Sequence, residues 1–228
     1  MDLQSINIGT KQSFQIGDKL VETGIFKNPV TGPVVITVEG VDGDVIHAKR
    51  VHGGPDQALY VYGAIDYAWW ADQLGRPLAP GTFGENLTVS DLESAPVRLG
   101  DRLTIGEVVL EVSFPRMPCP NLAKRMADRT FVKQFRQARR PGFYCRVLQT
   151  GVICAGEQVT LEPGPRQHVT IAETFDAFMI SPPNTALIQR ILDAPFARNF
   201  RQALENRLGD DTLVPAKQRS IDERVAMI

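Results

Sequence analysis

The feature that most narrows how this chain can fold is a change of texture at EPGPRQ, residues 162–167. Before it, short β-branched and aromatic runs alternate with Gly and Pro; after it, the apolar spacing is helical. VVITV (34–38), VIHAKRV (45–51) and ALYVY (58–62) read as strands, and RLTIGEVVLEVSF (102–114) reads as a hairpin. FYCRVLQTGVICAGEQVTL (143–161) reads as a second hairpin, turning near Thr150–Gly151. Helices are expected from about Ala64 to Leu74, with Ile65 and Trp69 inward and Gly75 as a stop, and over 122–138. Strands this short and this closely spaced predict a mainly β fold, a barrel or a sandwich. Past the break, TIAE (170–173) fits a capping box, Asn184 can cap TALIQRILDA, and a third helix runs to Leu208 before Gly209. The expected organisation is a β-rich domain over 1–163 and a three-helix extension over 168–228.

Composition removes several functional classes. Lys and Arg total 25 against 26 Asp and Glu, so there is no basic footprint for a nucleic-acid polymer or an anionic membrane. No apolar run approaches the roughly 18 residues of a bilayer span. MDLQSINIGTKQSF lacks the layout of a secretory signal, and an odd three cysteines argue against a disulfide framework, so a cytoplasmic setting is expected. The three histidines are scattered and no CxxC occurs, which disfavours a zinc site made by protein ligands alone.

Three motifs carry candidate chemistry. HGGPD (52–56) joins two strand candidates; its glycines allow backbone amides to converge on an anion, with His52 and Asp56 at the rim, or it is simply a Gly-rich connection. FGENL (83–87) places Glu85 beside Asn86, for acid–base work or for reading a heterocycle edge, unless the pair only closes a turn. FPRMPCPNL (114–122) holds Cys119 between Pro118 and Pro120. Those prolines fix their own φ and extend the residue before them, so Cys119 belongs to a stiff connector. Arg116 favours a thiolate only if a bend at Pro118 brings the two together, and a buried apolar cysteine is the alternative. Cys145 and Cys154 read as core. Arg146, among apolar strand residues, either reaches a site or marks an edge strand.

In order, TGIFKNPVTGPVVITV, VHGGPDQALYVY, WWADQLG, FGENL, SFPRMPC and GFYCRVLQTGVI resemble the MOSC family, and the helical tail resembles its YiiM-type branch. The resemblance implies a closed β-barrel (MOSC-like) that binds the molybdenum cofactor, molybdopterin. It implies that Cys119 is the molybdenum ligand, flanked by Arg116. His52, Gly53, Gly54, Asp56, Glu85 and Asn86 would line the site, with His52 and Glu85 as proton donors. Lys27 and Arg146 are further cofactor-binding candidates. The activity implied is reduction of N-hydroxylated compounds such as hydroxylaminopurines. Because the chain shows no flavin or iron–sulfur motif, electrons would come from a separate donor protein. A sulfur carrier using a Cys119 persulfide and a non-catalytic binding module are the alternatives. A monomer or a homodimer is compatible with the sequence.

Overall fold

The computed structural model describes residues 1–16, 19–45, 53–179 and 185–208. His52, most of the strand candidate 45–51, Asn184 and Gly209 therefore lie outside the described residues. Eight strands form the main sheet: β1 (Leu3–Gly9), β4 (Lys27–Val30), β7 (Leu59–Gly63), β8 (Leu87–Val89), β9 (Arg102–Ile105), β10 (Val108–Pro115), β11 (Phe143–Gln149) and β13 (Val159–Glu162). Their order is β13-β9-β10-β11-β7-β8-β1-β4. A two-stranded ribbon, β2 (Gln12–Ile16) with β3 (Lys19–Thr23), stands apart. So does a small sheet of β5 (Val34–Thr37), β6 (Gly40–Val41) and β12 (Gly151–Ile153).

The expected closed β-barrel is not what forms. The main sheet is open, with β13 and β4 at its two edges. Closure needs a continuous ladder between first and last strands. Instead both sides of β1 are taken, by β4 and β8, and its start meets the β13 end through one isolated bridge, Asp2–Gln158. Nor is the chain mainly β: 30% of the described residues are helical and 32% are in strands, a mixed composition.

Local rules account for much of the remainder. Gly106, at φ 56°, turns β9 into β10, and Val109 and Leu110 pair with Thr104 and Leu103 as that hairpin requires. The second expected hairpin does not form. Both sides of β11 are occupied, by β10 and β7, so β12 pairs with β5 through Val152–Val35. Helix α1 (Ala64–Leu74) ends where Gly75 takes a left-handed φ of 62°. Its buried face is Asp66, Tyr67 and Trp70, whereas Ile65 is 44% exposed. The helix expected over 122–138 is two, α2 (Pro120–Arg125) and α3 (Phe131–Ala138). Ala127 between them has a φ of 54°, which a right-handed helix cannot accommodate.

Strand β7 is buried on both faces. Leu59 and Val61 lie on one side of it, while Tyr60 and Tyr62 lie on the other with Trp70, Phe83, Phe131 and Phe135 close by. The helical extension, α4 (Ile171–Met179), α5 (Thr185–Asp193) and α6 (Arg201–Leu208), packs on β10. Its capping box forms as expected: Glu173 N donates to Thr170 Oγ1 at 3.1 Å, and Thr170 N to Glu173 Oε2 at 2.8 Å. Phe114 of β10 stacks on Phe200 at 4.1 Å and also meets Phe178 and Phe196. Burial of each such ring contributes roughly 1.5–3 kcal/mol, so the extension and the sheet share one core.

Candidate functional site

Strand β10 ends at Pro115, and Arg116–Cys119 carries the chain into α2. Cys119 has extended backbone (φ −132°, ψ 162°) and immediately precedes the helix, as its flanking prolines require. The bend brings Arg116 back over the sulfur. Arg116 Nη2 lies 3.5 Å from Cys119 Sγ, and Nη1 donates to Met117 O at 2.8 Å. The guanidinium also sits 5.5 Å from the Phe135 ring and 5.9 Å from Tyr60. Burial opposes its charge, but the pull of Cys119, Tyr60 and Tyr144 outweighs that and holds the guanidinium above its ordinary value.

Both residues line a cavity that is open to solvent at its mouth. Its lining also includes Tyr60, Tyr144, Gln57 and Asn121, together with Thr23–Ile25, Lys27, Asp44 and Asn86. Lys27 and Asp44 form a buried ion pair. Asp44 also accepts from Gly9 N at 2.7 Å and Asn86 Nδ2 at 2.8 Å. Burial pushes the Lys27 ammonium below its usual range despite that partner. The Tyr144 ring packs tilted against Tyr60, with centroids 5.3 Å apart, and burial, offset in part by Arg116, pushes its phenol up to about 12. Its hydroxyl is therefore a neutral donor at ordinary pH, and it has no hydrogen-bond partner among the described residues.

Of the residues singled out in the sequence, Cys119, Arg116, Lys27 and Asn86 line this cavity. The carboxamide of Asn86 is engaged at both ends, its Oδ1 accepting from Tyr60 N at 3.1 Å. Glu85 is fully buried outside the lining, accepting from Tyr67 Oη (2.5 Å), Gly81 N (2.6 Å), Thr88 Oγ1 (2.9 Å) and Phe83 N (3.2 Å). Burial pushes its carboxyl above the usual range, against the pull of those donors. Gly53 and Gly54 precede the 3-10 turn Pro55–Gln57 and are not lining residues; Gly54 takes a φ of 91°. Asp56 and Arg146 pair with each other at 3.0 Å behind the cavity, where Arg146 also meets Glu111 at 2.9 Å. Asp44, Gln57, Tyr60 and Tyr144 were not singled out as site residues. Asp44 sits in VDGDV, which signals only a turn, and the tyrosines sit in strand runs that signal only core.

Residues 48–160 match the MOSC domain. YflK of Bacillus subtilis (strain 168) is 34% identical, covering 93% of this chain and 96% of its own length. The crystal structure of YiiM from Geobacillus stearothermophilus superposes with a TM-score of 0.75 at 31% identity, over 91% of this chain and 98% of that one. A protein of Gibberella moniliformis (strain M3125 / FGSC 7600) named Reductase is 35% identical over 65% of this chain, which spans only 28% of that protein. The chain belongs to the MOSC family. Within it, the helical extension and the fold are of the YiiM type. Among the described residues no helix is long and apolar enough to cross a membrane.

Proposed function

We propose that the protein binds the molybdenum cofactor in the Cys119 cavity and reduces N-hydroxylated compounds, with hydroxylaminopurines as the substrate class. The observation that carries this reading is the buried cysteine sulfur held 3.5 Å from a buried guanidinium on the cavity lining. The donor set suits such a group. Cys119 offers one soft sulfur for a metal, while Arg116 and Lys27 are buried cations for an anionic cofactor. The relative named Reductase supports the reaction class.

The cofactor, when bound, supplies two-electron redox chemistry. The remaining work belongs to the chain. Cys119 would hold the metal, and Arg116, fixed beside the sulfur, would lower the ordering cost of ligation. Lys27, fixed by Asp44, would hold an anionic group of the cofactor. Conversion of N–OH to N–H plus water consumes two electrons, from a separate donor protein, and two protons. Tyr144 lines the cavity with an unengaged hydroxyl and is the proton donor to the departing oxygen, reprotonated from the open mouth. Glu85, sealed behind four donors outside the lining, ties residues 81–88 to Tyr67 and does not exchange protons with substrate.

Protein purified from a host that makes the cofactor, supplied with a chemical reductant, is expected to convert 6-hydroxylaminopurine to adenine. Cys119→Ser is expected to abolish turnover. Equal rates in the two proteins would refute the reading. A persulfide on Cys119 in protein free of molybdenum would support a sulfur carrier instead.

A further inference from the structure

The helical extension does more than cap the sheet, because its first residues after α5 are bonded to the back of the cavity wall. The 3-10 turn Pro55–Gln57 carries Asp56 and Gln57 side by side. Asp56 Oδ2 accepts from Arg198 N at 2.8 Å and from Arg198 Nε at 3.3 Å. Asn199 Nδ2 donates to Gln57 Oε1 at 3.1 Å. Arg146 Nη2 donates to Pro195 O at 3.0 Å, and Ala197 N donates to Ser113 O at 3.1 Å. The segment is further anchored by Phe196 and Phe200 against Phe114, two residues before Arg116.

Gln57 is the point at which this scaffolding reaches the ligand space. It is 2% exposed, yet it lines the cavity with Tyr60, Arg116 and Cys119. Asn199 occupies its oxygen, so the amide nitrogen is the end left for a ligand, with no partner among the described residues. A carboxamide free to rotate presents either a donor or an acceptor; one held by its oxygen presents only donors.

We propose that Asn199 of the extension is a positioning residue for Gln57, and that Gln57 is a specificity-determining contact for a ring nitrogen or carbonyl acceptor on a nitrogen heterocycle. The inference rests on the Cys119 cavity being the ligand site. Two heterocycles share this chemistry under that reading, the pterin of the cofactor and the purine of the substrate, and one experiment separates them. Full-length wild type, Gln57→Ala, Asn199→Ala and the double variant are purified from a cofactor-competent host. Pterin per chain and KM for 6-hydroxylaminopurine are then measured on each.

If Gln57 reads the cofactor, each single variant loses about tenfold in pterin retained after dilution; if it reads the substrate, pterin stays and KM rises about tenfold. In both cases Asn199→Ala changes little once Gln57 is already alanine, because its effect acts through that side chain. Single variants with wild-type pterin and wild-type KM would overturn the inference and leave the proposed function standing. So would single effects that multiply fully in the double variant. Wild type without pterin would overturn both. Asn199→Asp supplies a further check: its oxygens cannot donate to Gln57 Oε1, so it is expected to behave like Asn199→Ala.

Discussion

Arg116 Nη2 lies 3.5 Å from Cys119 Sγ, and the two residues are only 4% and 6% exposed. A second hydrogen bond, from Arg116 Nη1 to Met117 O at 2.8 Å, fixes the guanidinium. In so dry a setting the pair is one chemical unit, since removing either member leaves the other with an altered charge environment. Arg116→Gln is therefore expected to slow alkylation of Cys119 at neutral pH by about tenfold, the loss of one charge-assisted contact of ~1.4 kcal/mol. Peptide mass spectrometry after timed iodoacetamide exposure measures it. An unchanged rate would show that the guanidinium does not activate the sulfur.

The Lys27–Asp44 pair predicts a stability pattern independent of any cofactor. Both side chains are buried, and the charge and hydrogen bond of Asp44 oppose the desolvation that lowers the pKa of the ammonium. Asp44→Asn strands that charge and is expected to destabilise the protein by about 3–5 kcal/mol. Adding Lys27→Met is expected to recover most of the loss. Urea unfolding of the three proteins tests this, and a double variant as unstable as Asp44→Asn would contradict it.

Acid is expected to release the helical extension. Burial opposes the ionised Asp56, but the hydrogen bonds from Arg198 and the charge of Arg146 win, holding its carboxyl below the ordinary 3.8. A carboxylate depressed on folding contributes stability that is full above 3.8 and is lost as pH falls through the folded value. Glu173, in its capping box, is depressed as well and adds to the same limb. Amide exchange in α6 should therefore rise as pH drops below the ordinary carboxylate range, and Asp56→Asn should remove part of that dependence. Identical pH profiles for wild type and variant would count against the anchor.

Glu85→Gln is expected to reduce stability by roughly 1–3 kcal/mol while cofactor content is kept. Its carboxylate accepts two backbone amides and two hydroxyls, including Tyr67 Oη at 2.5 Å, and a carboxamide nitrogen cannot accept any of them. Normal stability with lost turnover would instead assign Glu85 to the chemistry.

What the sequence made legible was local. The Gly106 turn, the Gly75 stop and the Thr170–Glu173 box are decided by neighbouring residues, and each appears where expected. Partner choice between strands is not local. Nothing in residues 143–161 tells β12 to leave β11 for β5, and nothing in β1 reveals that both of its sides are taken before a barrel can close. The break at Ala127 was equally hidden, because alanine is a strong helix former and its positive φ is imposed by the surroundings. At the site, Cys119 and Arg116 were legible through their proline frame. Asp44 and Gln57 were not, since a turn aspartate and a single glutamine carry no spacing signal until the fold sets them beside Lys27 and Asn199.

The most direct test of the central claim is the molybdenum and pterin content of protein purified from a host that makes the cofactor. The account predicts both in the wild type, near one of each per chain, with molybdenum lost from Cys119→Ser. Wild type free of pterin, or Cys119→Ser retaining full molybdenum, would contradict it.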